Sequence, residues 1–381
     1  MGPLHGRRIV ELAGLGPAPF AAMMLADMGA DVVRIDRASA ADVDDGRGRT
    51  DILNRNRRSV AVDLKSTAGR DAVLRLVAGA DALVEGFRPG VAERLGLGPA
   101  ECHDRNHRLV YGRMTGWGQE GPLSASAGHD IDYIAIAGAL HAIGERGGPP
   151  VPPVNLLGDF GGGGMLLAFG VVCGLLAADR GVVDQVVDAA MVDGTALLLA
   201  MCHSFRARGE WVDERGNNHL DGGAPFYDVY ATSDGQHLAV GALEPQFYAE
   251  LLRLLELDAT DLPAQSDRAR WPELRDALAR VIATRTRDEW AAVFAGTDAC
   301  VAPVLNLEEA TRHPHTVARR TFVSVAGLVQ PAPAPRFSAT PAEMTQPPAL
   351  PGQHSRDALQ DWGFAAHEIE ELIANGAVAQ R

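Results

Sequence analysis

Two stretches of the chain set proton-carrying side chains beside glycine. In Gly128-His129-Asp130-Ile131-Asp132-Tyr133, an imidazole and two carboxylates follow a glycine directly. In Asn155-Leu156-Leu157-Gly158-Asp159, a carboxylate stands just ahead of the run Gly161 to Gly164. A third stretch, Gly241-Ala242-Leu243-Glu244-Pro245, brings an acid to a helix start. Taking a proton from the carbon next to a carbonyl needs a base, a donor for the developing oxyanion and shelter from water. Inverting that carbon needs a second acid on the opposite face. His129 and Asp159 are residue types that could supply the two, and a helix-start N–H such as that of Asp130 could bind the oxyanion. Each also has an ordinary structural use. Asp159 reads as the cap of the helix that follows it, and Glu244 as a first-turn acid. Asp130 and Asp132 read as capping or surface groups. Spacing alone leaves both uses open. Glycines 161 to 164 would let a ligand approach backbone N–H groups at that helix start.

The elements that must position these residues read as α/β. Arg8 to Leu12 is a strand, Pro17 and Pro19 suit a helix start, and Phe20 to Met28 has a helical apolar pattern closed by Gly29. Asp31 to Ile35 is the next strand, so the chain opens as a βαβ unit with a parallel sheet. Gly14 and Gly16 match the start of a dinucleotide turn. Pro19 at the third glycine position removes the close packing that turn requires, which argues against a nicotinamide cofactor. Further strands are expected at Val60–Leu64, Ala82–Val84, Arg108–Tyr111 and Val183–Asp188, with helices at Ser66–Ala78, Val91–Leu95, Ile131–Leu140 and Ala189–Arg206. The loops carrying Gly14, Arg37, Arg88 and Trp117 then lie at the carboxyl ends of strands, where open α/β sheets bind ligands. Arg47, Arg49, Arg55, Arg57 and Arg58 form the densest basic region, suited to phosphate or else a solvated charged loop. Beyond residue 210, a hairpin turns at Ser233-Asp234-Gly235, helices follow at Pro245–Leu255, Trp271–Ala283 and Arg287–Phe294, and Gln330–Pro351 is a proline-rich linker. The expected domains are 1–210 and 211–329, followed by a linker and C-terminal segment over 330–381.

With 381 residues the chain can hold two domains with real cores. Its net charge of −14 argues against sequence-independent nucleic-acid binding, so an anionic ligand needs a local basic patch. Four scattered cysteines fit neither a disulfide framework nor a zinc site, and no metal is expected. Together with the absence of a signal-peptide pattern and of a peroxisomal address at Val378–Arg381, they point to the cytoplasm. Phe160 to Ala178 is uncharged over nearly the length of a membrane span, but its glycines and charged flanks favour a buried helix and no membrane association.

The chain resembles the α-methylacyl-CoA racemases of the class III CoA-transferase (CaiB/BaiF) superfamily. The matching stretches include Val10–Gly14, Met23–Arg37, Asp63–Lys65, Arg88-Pro89-Gly90 with Arg94-Leu95, Thr115–Pro122, Gly128–Tyr133, Asn155–Gly163, Asp221–Tyr227, Val240–Tyr248 and Thr297–Val301. The resemblance implies a Rossmann-like large domain, completed by the C-terminal segment, and a smaller α/β domain, in an interlocked homodimer. It implies interconversion of (2R)- and (2S)-2-methylacyl-CoA thioesters through an enolate, with no cofactor beyond the substrate's coenzyme A. His129 and Asp159 become the acid–base pair, with Glu244 orienting His129 and the Asp130 N–H binding the enolate oxygen. The implied CoA-binding surface is Arg37, Val62, Asp63, Leu64, Lys65, Arg88, Arg94 and Gly128, His129, Asp130, Ile131, Asp132 and Tyr133. Some of the arginines between Arg47 and Arg58 are then expected to meet phosphates. His219 departs from the family pattern, which has methionine there. The rival within the superfamily is CoA transfer, with Asp159 as nucleophile.

Overall fold

Seven strands form one sheet in the order β12-β3-β2-β1-β4-β5-β6. They are β1 (Arg8–Leu12), β2 (Asp31–Arg37), β3 (Arg58–Val62), β4 (Ala82–Glu85), β5 (Val110–Thr115), β6 (Val186–Ala190) and β12 (Val378–Ala379). The computed structural model describes residues 2–43, 46 and 48–381; Asp44, Asp45 and Arg47 of the basic region lie outside them. Strands β1 to β6 are parallel to their neighbours, and β12 adds to the edge antiparallel, Val378 opposite Val62. The order reverses at β1: β2 and β3 extend to one side, β4, β5 and β6 to the other. A crevice at the carboxyl ends of β1 and β4 is the ligand position such a reversal creates.

Both faces of the sheet are covered, so its strands are apolar runs rather than alternations. On one face Val10, Leu12, Val33, Ile35, Val60, Leu83 and Tyr111 pack with the Thr67–Ala78 helix and with Trp362, Phe364 and Ile369. On the other, Ile9, Val32, Val84, Val110 and Met114 pack with the Pro17–Asp27 helix and with Leu167, Val171 and Leu175. Ser66 caps the Thr67–Ala78 helix, its hydroxyl accepting from the Gly69 N–H.

The chain divides into two compact units. The first comprises Met1–Ala137, Val154–Leu198 and Ala318–Arg381, the second Gly138–Pro153 and Leu199–Val317, against expected boundaries at 210/211 and 329/330. Within the second unit, β7 (Tyr227–Ala231), β8 (His237–Gly241) and β9 (Val301–Pro303) form an antiparallel sheet. It packs on helices Pro245–Leu254, Trp271–Ile282 and Arg287–Phe294 through Phe226, Tyr230, Leu251, Trp271, Leu278 and Trp290. A second hairpin, β10 (Phe322–Val325) and β11 (Leu328–Pro331), belongs to the first unit.

Three sequence expectations change. The expected Ala189–Arg206 helix is two helices, Met191–Leu198 and Ala200–Ala207, and the boundary between the units falls at Leu199. The Ile131–Leu140 helix ends at Ile136, because Gly138 takes φ +91. Asp159 does not cap the long apolar helix. A π-helical segment, Leu156–Gly164, runs into the α-helix Met165–Asp179, and Asp159 lies inside it. The combined helix is long and apolar enough to cross a membrane by length and composition, and it packs on the sheet through Leu167, Val171 and Leu175.

The glycine run serves that packing. A Cβ on Gly162 would sit 2.7 Å from the Thr195 nitrogen, and one on Gly194 would sit 1.8 Å from the Gly162 oxygen. Gly164 lies equally close against Pro17 and Phe20. These glycines bring the π-helical segment against two neighbouring helices.

Candidate active site

His129 is the residue before the Asp130–Ile136 helix, in extended conformation with φ −131 and ψ 175. Its own N–H donates to Asp132 Oδ2 at 2.9 Å and its carbonyl accepts from the Asp132 N–H at 2.9 Å, so this turn is held reciprocally. The His129 side chain is exposed. Behind it, Tyr133 is buried, donates to the Gly128 carbonyl at 2.5 Å and stands edge-on to Trp117, with centroids 4.8 Å apart. A Cβ on Gly128 would lie 2.7 Å from the Tyr133 ring, so glycine is what lets the loop close over it. The Asp130 N–H is the first of the helix and has no partner among the described residues.

The Asp130 carboxylate faces the other stretch. Its Oδ1 accepts from the N–H groups of Gly158 at 2.6 Å and Asp159 at 2.7 Å, and the residue is 5% exposed. This joins the His129 turn to the Asp159 turn across nearly thirty residues of sequence. Asp159 itself is partly buried. Asn155, one helical turn back, donates to its Oδ2 at 3.0 Å, and Gly16, after β1, lies beneath the same oxygen. Burial pushes the Asp159 carboxyl above the usual aspartate range; the Asn155 bond opposes this, the Asp130 charge adds to it and His129 opposes it. Burial, with Asp159 and Asp132 nearby, pushes the Tyr133 phenol up to about 12.

Arg37, Lys65, Arg88 and Arg94 are exposed and follow the carboxyl ends of β2, β3 and β4. Asp63 accepts from the Lys65 N–H in the turn after β3, and Leu64 packs on the core below it. Val62 is 2% exposed and its side chain lies in the core. Ile131 and Asp132 are exposed beside His129. Glu244 is an exposed residue of the second unit, at the start of the Pro245–Leu254 helix. His219, also in the second unit, stacks edge-on to Trp271.

Within the basic region, Arg55, Arg57 and Arg58 are taken up by carboxylates of the fold. Arg55 is 3% exposed and clamps Asp27 with two nitrogens while reaching Gln330 and the Pro331 carbonyl. Arg57 is 1% exposed and pairs with Glu11, itself fully buried on β1. Arg58 bridges Asp31 and Asp361. These arginines tie the C-terminal segment and the sheet together, and Asn56 holds the proline-rich stretch through Glu343, Thr345 and Gln346. Among the described residues, Arg37, Lys65, Arg88 and Arg94 are exposed at the strand ends.

Two contributors escaped sequence reasoning. Asn155 carried a usable signal, since a helix begun one residue later puts it at i−4 from Asp159. The Asp130 carboxylate carried none, because its partners are backbone groups remote in sequence.

Residues 4–355 match the family model described as CoA-transferase family III. The chain belongs to CoA-transferase family III. Within it, the chain is a homologue of the α-methylacyl-CoA racemases: it is 46% identical to that of Mus musculus over 98% of this chain and 97% of that one, and 44% identical to that of Homo sapiens over 97% and 96%. Among solved structures of family III, a CAIB/BAIF family protein from Brucella suis superposes with a TM-score of 0.81 at 23% identity, covering 95% of this chain and 99% of that one; this likeness is one of fold.

Proposed function

We propose that the protein is a racemase that interconverts (2R)- and (2S)-2-methylacyl-CoA thioesters by 1,1-proton transfer. The observation that carries the reading is the pair of bonds from Asp130 that brings the His129 turn and the Asp159 turn into one site. The near full-length identity to racemases supports the substrate class.

In this reading neutral His129 takes the α-proton of the (2S) thioester and ionised Asp159 that of the (2R) thioester. When His129 is the base, Asp159 starts protonated and gives its proton to the opposite face of the carbon; when Asp159 is the base, protonated His129 does so. The planar enolate between them is stabilised by the Asp130 N–H, the first of its helix, which has no backbone partner among the described residues. Burial raises the basicity of Asp159, which narrows the gap between a carboxylate and a weakly acidic carbon. Arg37, Lys65, Arg88 and Arg94 hold the phosphates of coenzyme A against the field of an acidic protein. The reaction exchanges one proton for another, so no redox cofactor is needed.

The active assembly in this reading is an interlocked homodimer in which Glu244 orients His129. Apolar side chains left in solvent by one chain support association: Met165, Phe169 and Leu176 of the long helix are all more than half exposed. Sedimentation velocity tests it, a monomer at assay concentration being the contrary result.

A single 2-methylacyl-CoA epimer incubated in D₂O without an acceptor acid tests the chemistry. Deuterium at C2 together with epimerisation supports racemisation. The family also contains transferases, which would use Asp159 as nucleophile; thioester exchange onto a free acid with no deuterium uptake supports that chemistry instead.

A further inference from the structure

We propose that the Asp130 carboxylate is a positioning residue: it clasps the Gly158–Asp159 backbone to the His129 turn and so keeps the two proton carriers in register. The inference rests on the racemase reading of His129 and Asp159, and it concerns the side chain of Asp130 rather than its N–H.

Gly158 and Asp159 are the third and fourth residues of the Leu156–Gly164 segment, where N–H groups have no carbonyl behind them. A carboxylate is a strong partner for such donors, through charge-assisted bonds and the positive end of the helix. Asp130 supplies it from the first position of a different helix, and one oxygen serves both donors at 2.6 and 2.7 Å. Its other oxygen, Oδ2, is buried with no partner among the described residues. Burying a carboxylate with an unpaired oxygen is costly, so its place is not explained by helix capping alone. The close approach also requires Gly158: a Cβ there would sit 2.6 Å from Oδ1 and 3.0 Å from Cγ.

The geometry is specific for function in one further way. Asp130 immediately follows His129, and Asp159 immediately follows Gly158. The clasp therefore fixes the backbone at both proton carriers, and a slip of 1 Å there costs about 10²-fold in rate. The charge of Asp130 also acts on Asp159. The other titratable groups acting there are His129, which favours the ionised form, and Tyr133, whose phenol stays protonated near neutral pH.

The test uses the full chain and one 2-methylacyl-CoA epimer at a time. Asp130→Ala removes the clasp. Asp130→Asn keeps an oxygen for both N–H donors but removes the charge. Gly158→Ala keeps the charge but displaces the carboxylate. The expected result is a kcat loss of about 10²-fold in Asp130→Ala and Gly158→Ala with KM within threefold. Asp130→Asn recovers at least tenfold of that loss. Its (2R)-to-(2S) rate also persists to lower pH than in wild type, because Asp159 loses a neighbouring negative charge. If Asp130→Ala does not fold, the comparison of Asp130→Asn with Gly158→Ala decides alone. Full kcat in folded Asp130→Ala or Gly158→Ala overturns the clasp, as does an Asp130→Asn enzyme as slow as Gly158→Ala with an unmoved pH limb. His129→Ala and Asp159→Ala are run in parallel. If those two keep the wild-type rate, the proton-pair reading fails; if they lose it while the clasp variants do not, only the clasp fails.

Discussion

The pair Glu11–Arg57 gives a quantitative test of what the basic region is for. Glu11 is 0% and Arg57 1% exposed, and a bond of 2.5 Å joins them. Burial dominates both groups, pushing the Glu11 carboxyl up and the Arg57 guanidinium down despite their mutual attraction. The pairing is also incomplete: Glu11 Oε1 and Arg57 Nε have no partner among the described residues. Replacing Arg57 alone by Met strands a buried carboxylate, at a cost of about 3–5 kcal/mol. Arg34 favours the ionised Glu11 through its charge, but its guanidinium is bonded to Asp36 at 2.7 Å. Replacing both, as Glu11→Leu with Arg57→Met, removes the uncompensated charge and most of the unsatisfied polar atoms, so it costs less than about 1 kcal/mol or stabilises. The assay is equilibrium urea denaturation of wild type, both single variants and the double, with KM for an acyl-CoA measured on each folded protein. A coupling of at least about 2 kcal/mol, and a KM within twofold in the double variant, is expected. An Arg57→Met protein as stable as wild type, with KM raised about tenfold, would refute the assignment and return Arg57 to the phosphate site.

Other predictions concern the glycine packing, the tyrosine behind His129 and the charge at Asp159. Gly194→Ala puts a methyl 1.8 Å from a backbone oxygen, so it destabilises by about 3 kcal/mol or yields insoluble protein, as expression and thermal melts will show. Tyr133→Phe removes the donor to the Gly128 carbonyl, costing about 1 kcal/mol of stability and lowering kcat more than it raises KM. For Asp159 the folded state holds its proton more tightly than the unfolded chain does, so its contribution falls as pH rises from the ordinary aspartate range through the raised value. Asp159→Asn is therefore expected to melt above wild type at pH 7, with the difference vanishing near pH 4, and to lose about 10²-fold or more in racemisation. A melting difference that does not change with pH would contradict the buried-charge account.

How much of this was legible in the sequence depended on whether the cause was local. Strand β1, the helix behind it and β2 follow from apolar periodicity, two prolines and Gly29, all within thirty residues. Ser66 caps its helix as its side chain dictates. The glycine run from Gly161 to Gly164 was visible, but its purpose depends on Gly194 and Pro17, which only the fold brings near. The π-helical start of the long helix has no composition signature, which is why Asp159 read as a cap. Arg55, Arg57 and Arg58 look like a solvent-facing cluster until Asp27, Glu11 and Asp31 arrive from earlier strands and helices. Asp130 shows the same limit at the site: its place at a helix start was legible, whereas its carboxylate accepts from N–H groups that no sequence pattern records.

The central claim is that two different residues carry the proton on the two faces. The direct measurement is α-hydrogen exchange by Asp159→Asn in D₂O, started separately from each pure epimer and followed by mass spectrometry and chiral analysis. The account predicts that the (2S) thioester still exchanges through His129 without inversion, while the (2R) thioester does not exchange. Equal exchange from both epimers, or its equal loss from both, would contradict it.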